Sequence, residues 1–162
     1  MSHFTKLALR MGAVCVAAVS LSGCSFLGIN FAMNQMSEKE CMMRAMYFES
    51  NRSSADGMLA VGTVVMNRVN DARYPKSVCG VVGQKNQFAS GVLTKPMTDS
   101  GAVLAAQVAD QVLRGSRHPG VRSAQHFHTA GYSFPYRNMY YVLEAGGNQF
   151  YEKRDPQTGR LL

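Results

Sequence analysis

The stretch Ser37-Glu38-Lys39-Glu40-Cys41-Met42-Met43-Arg44-Ala45-Met46-Tyr47-Phe48-Glu49-Ser50 decides the fold. It opens on Ser37 and Glu40, three apart, the form of a capping box in which the serine oxygen and the glutamate side chain satisfy exposed amides at a helix start. Cys41, Met42, Ala45, Met46 and Phe48 or Glu49 then recur at three- and four-residue steps, which predicts a helix over about 38–50. A second box, Ser53-Ser54-Ala55-Asp56, opens another helix, in which Met58, Val61, Val65 and Val69 form a stripe reaching to about Asn70. Its middle, Val61-Gly62-Thr63-Val64-Val65-Met66, is apolar almost all round, so burial on most sides is expected. The β-branched content would suit a strand, but the upstream box and the length of the periodic stretch favour a helix.

Beyond this pair, Tyr74-Pro75 marks a turn and Ser77–Val82 is a short apolar piece carrying Cys79. A polar loop from Gly83 to Pro96 contains Gln87-Phe88. Thr98 or Asp99 caps a third helix running through Ala102 to Leu113, and Gly115 stops it. After Pro119-Gly120 the pattern changes to short alternating pieces at Ala124–His128, Met139–Leu143 and Asn148–Tyr151, read as strands between Gly and Pro turns. The expected class is α+β, helices first and a small sheet or loop-rich lobe at the end. Residues 154–162 form a tail that is expected to fray.

On the N-terminal side, Lys6 and Arg10 precede an uncharged apolar run from Met11 to Leu21. This is the layout of a secretory signal peptide over residues 1–23, and the run is too short to span a bilayer. The segment Leu21-Ser22-Gly23-Cys24 resembles the lipobox of bacterial lipoproteins. That resemblance implies that Cys24 is lipidated and becomes the first mature residue, with 24–36 a tether and 37–153 one domain. It also implies a membrane-anchored lipoprotein of the cell envelope facing the periplasm, and Ser25 points to the outer membrane of a Gram-negative host. Outside the cytoplasm disulfides are allowed. With Cys15 lost and Cys24 lipidated, Cys41 and Cys79 remain, and a single disulfide is the simplest account. A metal pair is the weaker reading, since no close Cys-x-x-Cys or Cys-x-x-His spacing accompanies them.

The formal charge is +7, or +5 without Lys6 and Arg10. An anionic partner follows, and in this compartment peptidoglycan carboxylates and membrane surfaces fit where nucleic acid does not. The cations Lys39, Arg44, Arg52, Arg68, Arg73 and Arg114 are scattered, the pattern of a solvated surface.

One residue suggests chemistry. Glycosidic cleavage needs an acid that is protonated near neutral pH, and a carboxyl in an apolar setting has its pKa raised toward that range. Glu49 ends an apolar helix beside Tyr47 and Phe48, and the partial negative charge of a helix C-terminus pushes the same way.

The runs Glu40–Ser50, Gly57 with Ala60–Val69, Arg73–Val82, Asn86-Gln87-Phe88, Ala124–Ala130 and Phe150-Tyr151 together resemble the cell wall hydrolase family of the SleB type, over about 38–153. The resemblance implies a lysozyme-like lytic transglycosylase or muramidase domain acting on peptidoglycan, with Glu49 as its catalytic acid, and a cysteine pair matching Cys41 and Cys79. Two positions depart from the family pattern: Asn148 stands where a His is usual, and Tyr136 follows Pro135 where Trp is common.

Two-carboxylate hydrolases need a second acid at a defined distance, and neither Asp56 and Asp99, read as caps, nor Asp110, read as helix surface, suggests itself. A single-acid scheme therefore fits better. Tyr47, Asn67, Gln87, Tyr132 and Tyr140 are candidate substrate contacts, with His126 and His128 beside the cleft. No cofactor or metal is expected, and the domain is expected to act as a monomer. Two alternatives stay open. His126 and His128, two apart on a strand, face the same way, so a zinc amidase or peptidase would follow if His118 or Glu49 supplied a further ligand. The other is a peptidoglycan-binding lipoprotein that does not cleave.

Overall fold

The computed structural model describes residues 36–52 and 54–162; the leader, Cys24, the tether up to residue 35, and Ser53 lie outside the described residues. Four helices come first: α1 (Glu38–Glu49), α2 (Ala55–Asn70), α3 (Val78–Val82) and α4 (Gly101–Leu113). A 3-10 turn (Pro119–Val121) leads to three strands, β1 (His126–Thr129), β2 (Met139–Ala145) and β3 (Asn148–Lys153). The fold is α+β, as the patterning predicts.

α2 packs against α1, α3 and α4, and Met58, Val61, Val64 and Val65 on it are fully buried, as its all-round apolar middle requires. Ser37 caps α1 by accepting from the Glu40 amide at 3.1 Å. The reciprocal half of the box is not made, because Glu40 accepts from Arg44 at 2.8 Å one turn on. Glu38 instead accepts from the Val78 amide, tying the start of α1 to the start of α3. The cap of α2 is Ser54, which accepts from the Gly57 amide at 3.0 Å, and Asp56 turns to His118. At α4 it is Asp99 that accepts from an opening amide, that of Gly101, at 2.9 Å.

Cys41 and Cys79 are joined, and the bond ties α1 to α3 with Cα atoms 5.1 Å apart. The sheet is antiparallel, in the order β1-β3-β2. Its register sets His126 opposite Tyr151 and Tyr151 opposite Tyr141, so these rings share one face with His128. The other face carries Phe127, Tyr140 and the buried Phe150 and Glu152.

The β2–β3 turn sits directly on the α1–α2 corner. A Cβ added to Gly57 would lie 2.4 Å from the Gly146 Cα, so the two backbones meet where only glycines fit, and Gly146 also has φ +57°. The Asn51 amide donates to the Gly146 carbonyl at 2.9 Å.

Residues 154–162, expected to fray, are folded back. Leu161 pairs with Arg154, the Leu162 amide donates to the Lys153 carbonyl at 2.9 Å, and Asp155 closes the turn by accepting from Gln157 and Thr158. Tail positions unfold readily unless backbone groups are satisfied, and here they are. Among the described residues no helix is long and apolar enough to cross a membrane.

The disulfide closes 38 positions of chain, for which the loop-entropy argument gives a stabilisation of about 4 kcal/mol at most. Replacing Cys41 and Cys79 together by Ala is therefore expected to lower unfolding stability in urea by up to that amount; an unchanged midpoint would show that the bond does not constrain the unfolded chain.

Candidate active site

Glu49 is the last residue of α1, and two hydrogen bonds fix it. The Asn148 side-chain amide donates to its main-chain carbonyl, an acceptor that a helix end otherwise leaves open. The Ala89 amide, from the loop after α3, donates to its carboxyl. Behind the Ala89 contact, the Phe88 ring lies against the Arg68 guanidinium, 5.3 Å from its centroid. Burial raises the Glu49 pKa above the usual carboxylate range, with the Ala89 hydrogen bond and the field of Arg68 opposing part of that rise. The result is a carboxyl biased toward its protonated form by desolvation, in contact with a donor that can hold it once ionised.

Arg68, grouped by sequence with the scattered surface cations, is 3% exposed. Its Nε donates to the Gln125 carbonyl at 2.8 Å, its plane lies between Phe88 and Tyr74, and its Nη1 is sealed from solvent without a hydrogen-bond partner. Burial works against its charge, and the fields of Tyr74, Tyr151 and Glu49 offset part of that. The sequence signal that would have found it is its place on α2 seven residues after Val61 and four after Val64, on a helix already read as buried nearly all round.

The remaining expected contacts separate. Tyr47 is a core residue, 2% exposed, whose hydroxyl accepts from the Thr98 amide at 3.3 Å and whose ring carries the Arg52 guanidinium. Asn67 spends its amide on the Arg122 and Ala124 carbonyls, both at 2.9 Å, and so secures the chain entering β1. Neither is presented to a ligand here. Tyr140 lies on the opposite sheet face from the histidines, with Arg154 4.0 Å above its ring. Its neighbour Tyr141 lies with the histidines, because side chains alternate faces along a strand. Gln87 and Tyr132 are exposed.

His126 stacks on Tyr151 at 5.3 Å, and His128 meets Tyr151 at 5.9 Å, Tyr141 at 5.5 Å and Phe134 at 4.8 Å. The His128 Nε2 lies 2.9 Å from the Tyr141 hydroxyl. Phe134 in turn stacks on Tyr136 at 6.2 Å, and both are exposed. An aromatic row thus runs from Tyr151, whose field reaches Arg68, outward to Tyr136. His126 is held neutral, its pKa lowered to about 4 by burial and then by the nearby charges of Lys153, Arg68 and Arg73. It also borders a cavity of about 260 Å³ lined by Asp71, Arg73, Gln125, Glu152 and Lys153 among others.

For the zinc alternative, His118 is committed, with Nε2 3.0 Å from Asp56 and Nδ1 accepting from the Gly120 amide at 3.1 Å. Among the described residues no three His, Cys, Asp or Glu side chains gather within metal-binding reach.

The sequence profile of the cell wall hydrolase family matches residues 52–151. Among solved structures, the chain is similar to the catalytic domain of the germination-specific lytic transglycosylase SleB from Bacillus anthracis, with TM-score 0.59 and 23% identity over 74% of this chain and 98% of that one. It is likewise similar to the catalytic domain of the Bacillus cereus SleB protein, with TM-score 0.59 and 21% identity over 74% of this chain and 94% of that one. No curated protein matches the chain.

Two pH effects on stability follow. A raised Glu49 pKa gives stability that is complete below the unfolded-state value and is lost as pH rises through the folded one. Glu49→Gln should therefore melt at a higher temperature than wild type at pH 8 and not at pH 4; a lower melting temperature at pH 8 would contradict the burial argument. The lowered His126 pKa has the opposite sign: its contribution is complete above 6.5 and is lost as pH falls through about 4. His126→Gln should flatten the fall in melting temperature across that interval, and an unchanged slope would show that His126 does not govern it.

Proposed function

The chain belongs to the cell wall hydrolase family, and from that premise we propose that it cleaves the glycan strands of peptidoglycan as a lytic transglycosylase, with Glu49 acting first as acid and then as base. The observation that carries this reading is the buried Glu49 carboxyl, pinned by the Ala89 amide at the end of α1. Of the ten acidic residues, every other one is held elsewhere. Glu38 is on Val78, Glu40 on Arg44, Asp56 on His118, Asp71 on Arg73 and Gln125, and Asp99 on Arg52 and Gly101. Asp110 is on Lys39, Glu144 on Gln149, Glu152 on Arg154, and Asp155 within its own turn. A hydrolase that activates water or forms a glycosyl-enzyme needs a second carboxylate across the scissile bond, and the nine are all otherwise engaged.

The chemistry then balances with one acid. Glu49 gives its proton to the glycosidic oxygen as the bond from that oxygen to the anomeric carbon breaks. The resulting carboxylate takes the proton of the same sugar's 6-hydroxyl as its oxygen bonds to the anomeric carbon, which leaves a 1,6-anhydro end, consumes no water and restores the protonated acid. Burial of Glu49 supports the first step, since it favours the protonated form; the Ala89 amide and Arg68 support the second, since they favour the ion.

The glycan lies along the aromatic row of Tyr151, His128, Tyr141, Phe134 and Tyr136, whose flat faces suit the apolar faces of sugar rings, and Gln87 and Tyr132 contribute at its edges. The protein works as a monomer anchored by lipid at Cys24, facing the periplasm from the outer membrane.

Mass spectrometry of muropeptides released from purified sacculi tests the reading. Wild type is expected to release 1,6-anhydro muropeptides with or without chelator, and Glu49→Gln to release them at least about 100-fold more slowly. Reducing-end products would replace the transglycosylase by a hydrolase, and chelator-sensitive release of free stem peptides would replace it by a metal amidase.

A further inference from the structure

Arg68 is a buried cation with an unspent donor beside the acid, and a fully buried polar atom without a partner requires an explanation. Its Nε bond to Gln125 and its two aromatic faces account for the orientation of the guanidinium, not for the empty Nη1. Glu49 and Arg68 flank the same Phe88-Ala89 segment, the one through the Ala89 amide and the other through the Phe88 ring, yet they form no direct ion pair. We propose that Arg68 is a positioning residue for Glu49, its unpartnered Nη1 being the donor that receives the Glu49 carboxylate in the interval between the two proton transfers.

This inference rests on the single-acid reading. While Glu49 is protonated it is neutral, one amide suffices for it, and Nη1 waits. Once the proton has gone to the leaving oxygen, the site holds an anion in a desolvated pocket beside a cation, and the two are drawn together. Taking the 6-hydroxyl proton removes the anion and releases the guanidinium. A Lys at this position would keep the charge and lose the rigid fork that, with Nε fixed on the Gln125 carbonyl, holds Nη1 in place to receive the Glu49 carboxylate.

The groups facing Glu49 and Arg68 are the Ala89 amide from the loop, Tyr74 beyond α2, and Tyr151 with His126 on the sheet. Burial pushes the Tyr151 hydroxyl above the ordinary phenol range and His126 is already neutral near pH 7, so the alkaline limb of the activity profile is assigned to Glu49.

The test measures kcat, KM and the pH profile of anhydro-product release from sacculi, using the full chain in detergent, for wild type, Glu49→Gln, Arg68→Met and Arg68→Lys. Arg68→Met is expected to move the alkaline limb of kcat/KM up by roughly one pH unit, because the cation that lowers the Glu49 pKa is gone, and to lower kcat about tenfold with KM little changed. Arg68→Lys is expected to keep the limb in place and lose part of kcat. A folded Arg68→Met with the wild-type limb and kcat would overturn the proposal, as would equal losses in both variants with the limb unmoved, the pattern of a purely structural residue. Should Arg68→Met fail to fold, Arg68→Lys decides: lowered kcat at unchanged KM supports the proposal, and wild-type kcat overturns it. If Glu49→Gln stays active, it is the single-acid reading that fails, separately from Arg68.

Discussion

The seating of the β2–β3 turn on the corner between α1 and α2 is the constraint on which the rest depends. Gly57 and Gly146 allow the two backbones to touch, the Asn51 amide bonds across the contact, and Asn148, two residues past Gly146, reaches the carbonyl of Glu49. A helix end is where backbone groups run out of partners and ordinarily frays. Here the sheet supplies the missing donor at the end of α1. The donor is the Asn148 side-chain amide.

The same corner places Glu49 in an environment that opposes its charge. Burial makes an ionised carboxylate there less favourable than a neutral side chain. Ala89 and Arg68 keep the cost bounded: one contributes a hydrogen bond, the other a field from a guanidinium itself buried between two aromatic rings. Neither neutralises Glu49 outright, since a direct salt bridge would hold it ionised and unable to donate.

Much of this was legible in the chain. Capping residues and three- to four-residue periodicity located α1 and α2, a cap at Thr98 or Asp99 located α4, and the alternating segments located the three strands. What sequence missed depends on neighbours far along the chain. Arg68 looks like any surface cation until α2 is seen to be enclosed on all sides, where only its aromatic neighbours and the Gln125 carbonyl make burial tolerable. Tyr47 looks like a site aromatic because it is two residues from Glu49, but two residues on a helix turn a side chain well away from its neighbour, here into the core. Tyr140 and Tyr141 differ by one position and so by sheet face, and only the register with Tyr151 tells which one joins His126 and His128. The tail is expected to fray from its terminal position, whereas its order comes from pairing with Lys153 and Arg154.

Burial raises the Glu49 pKa, against the pull of Ala89 and Arg68. Titrating its carboxyl carbon by NMR in the glutamate-labelled protein, with Glu49→Gln to assign the resonance, tests this most directly. The account predicts a midpoint clearly above the 4.5 of an unperturbed glutamate; a midpoint at or below that value would mean that Ala89 and Arg68 outweigh desolvation, and that Glu49 is an anion with no proton to give.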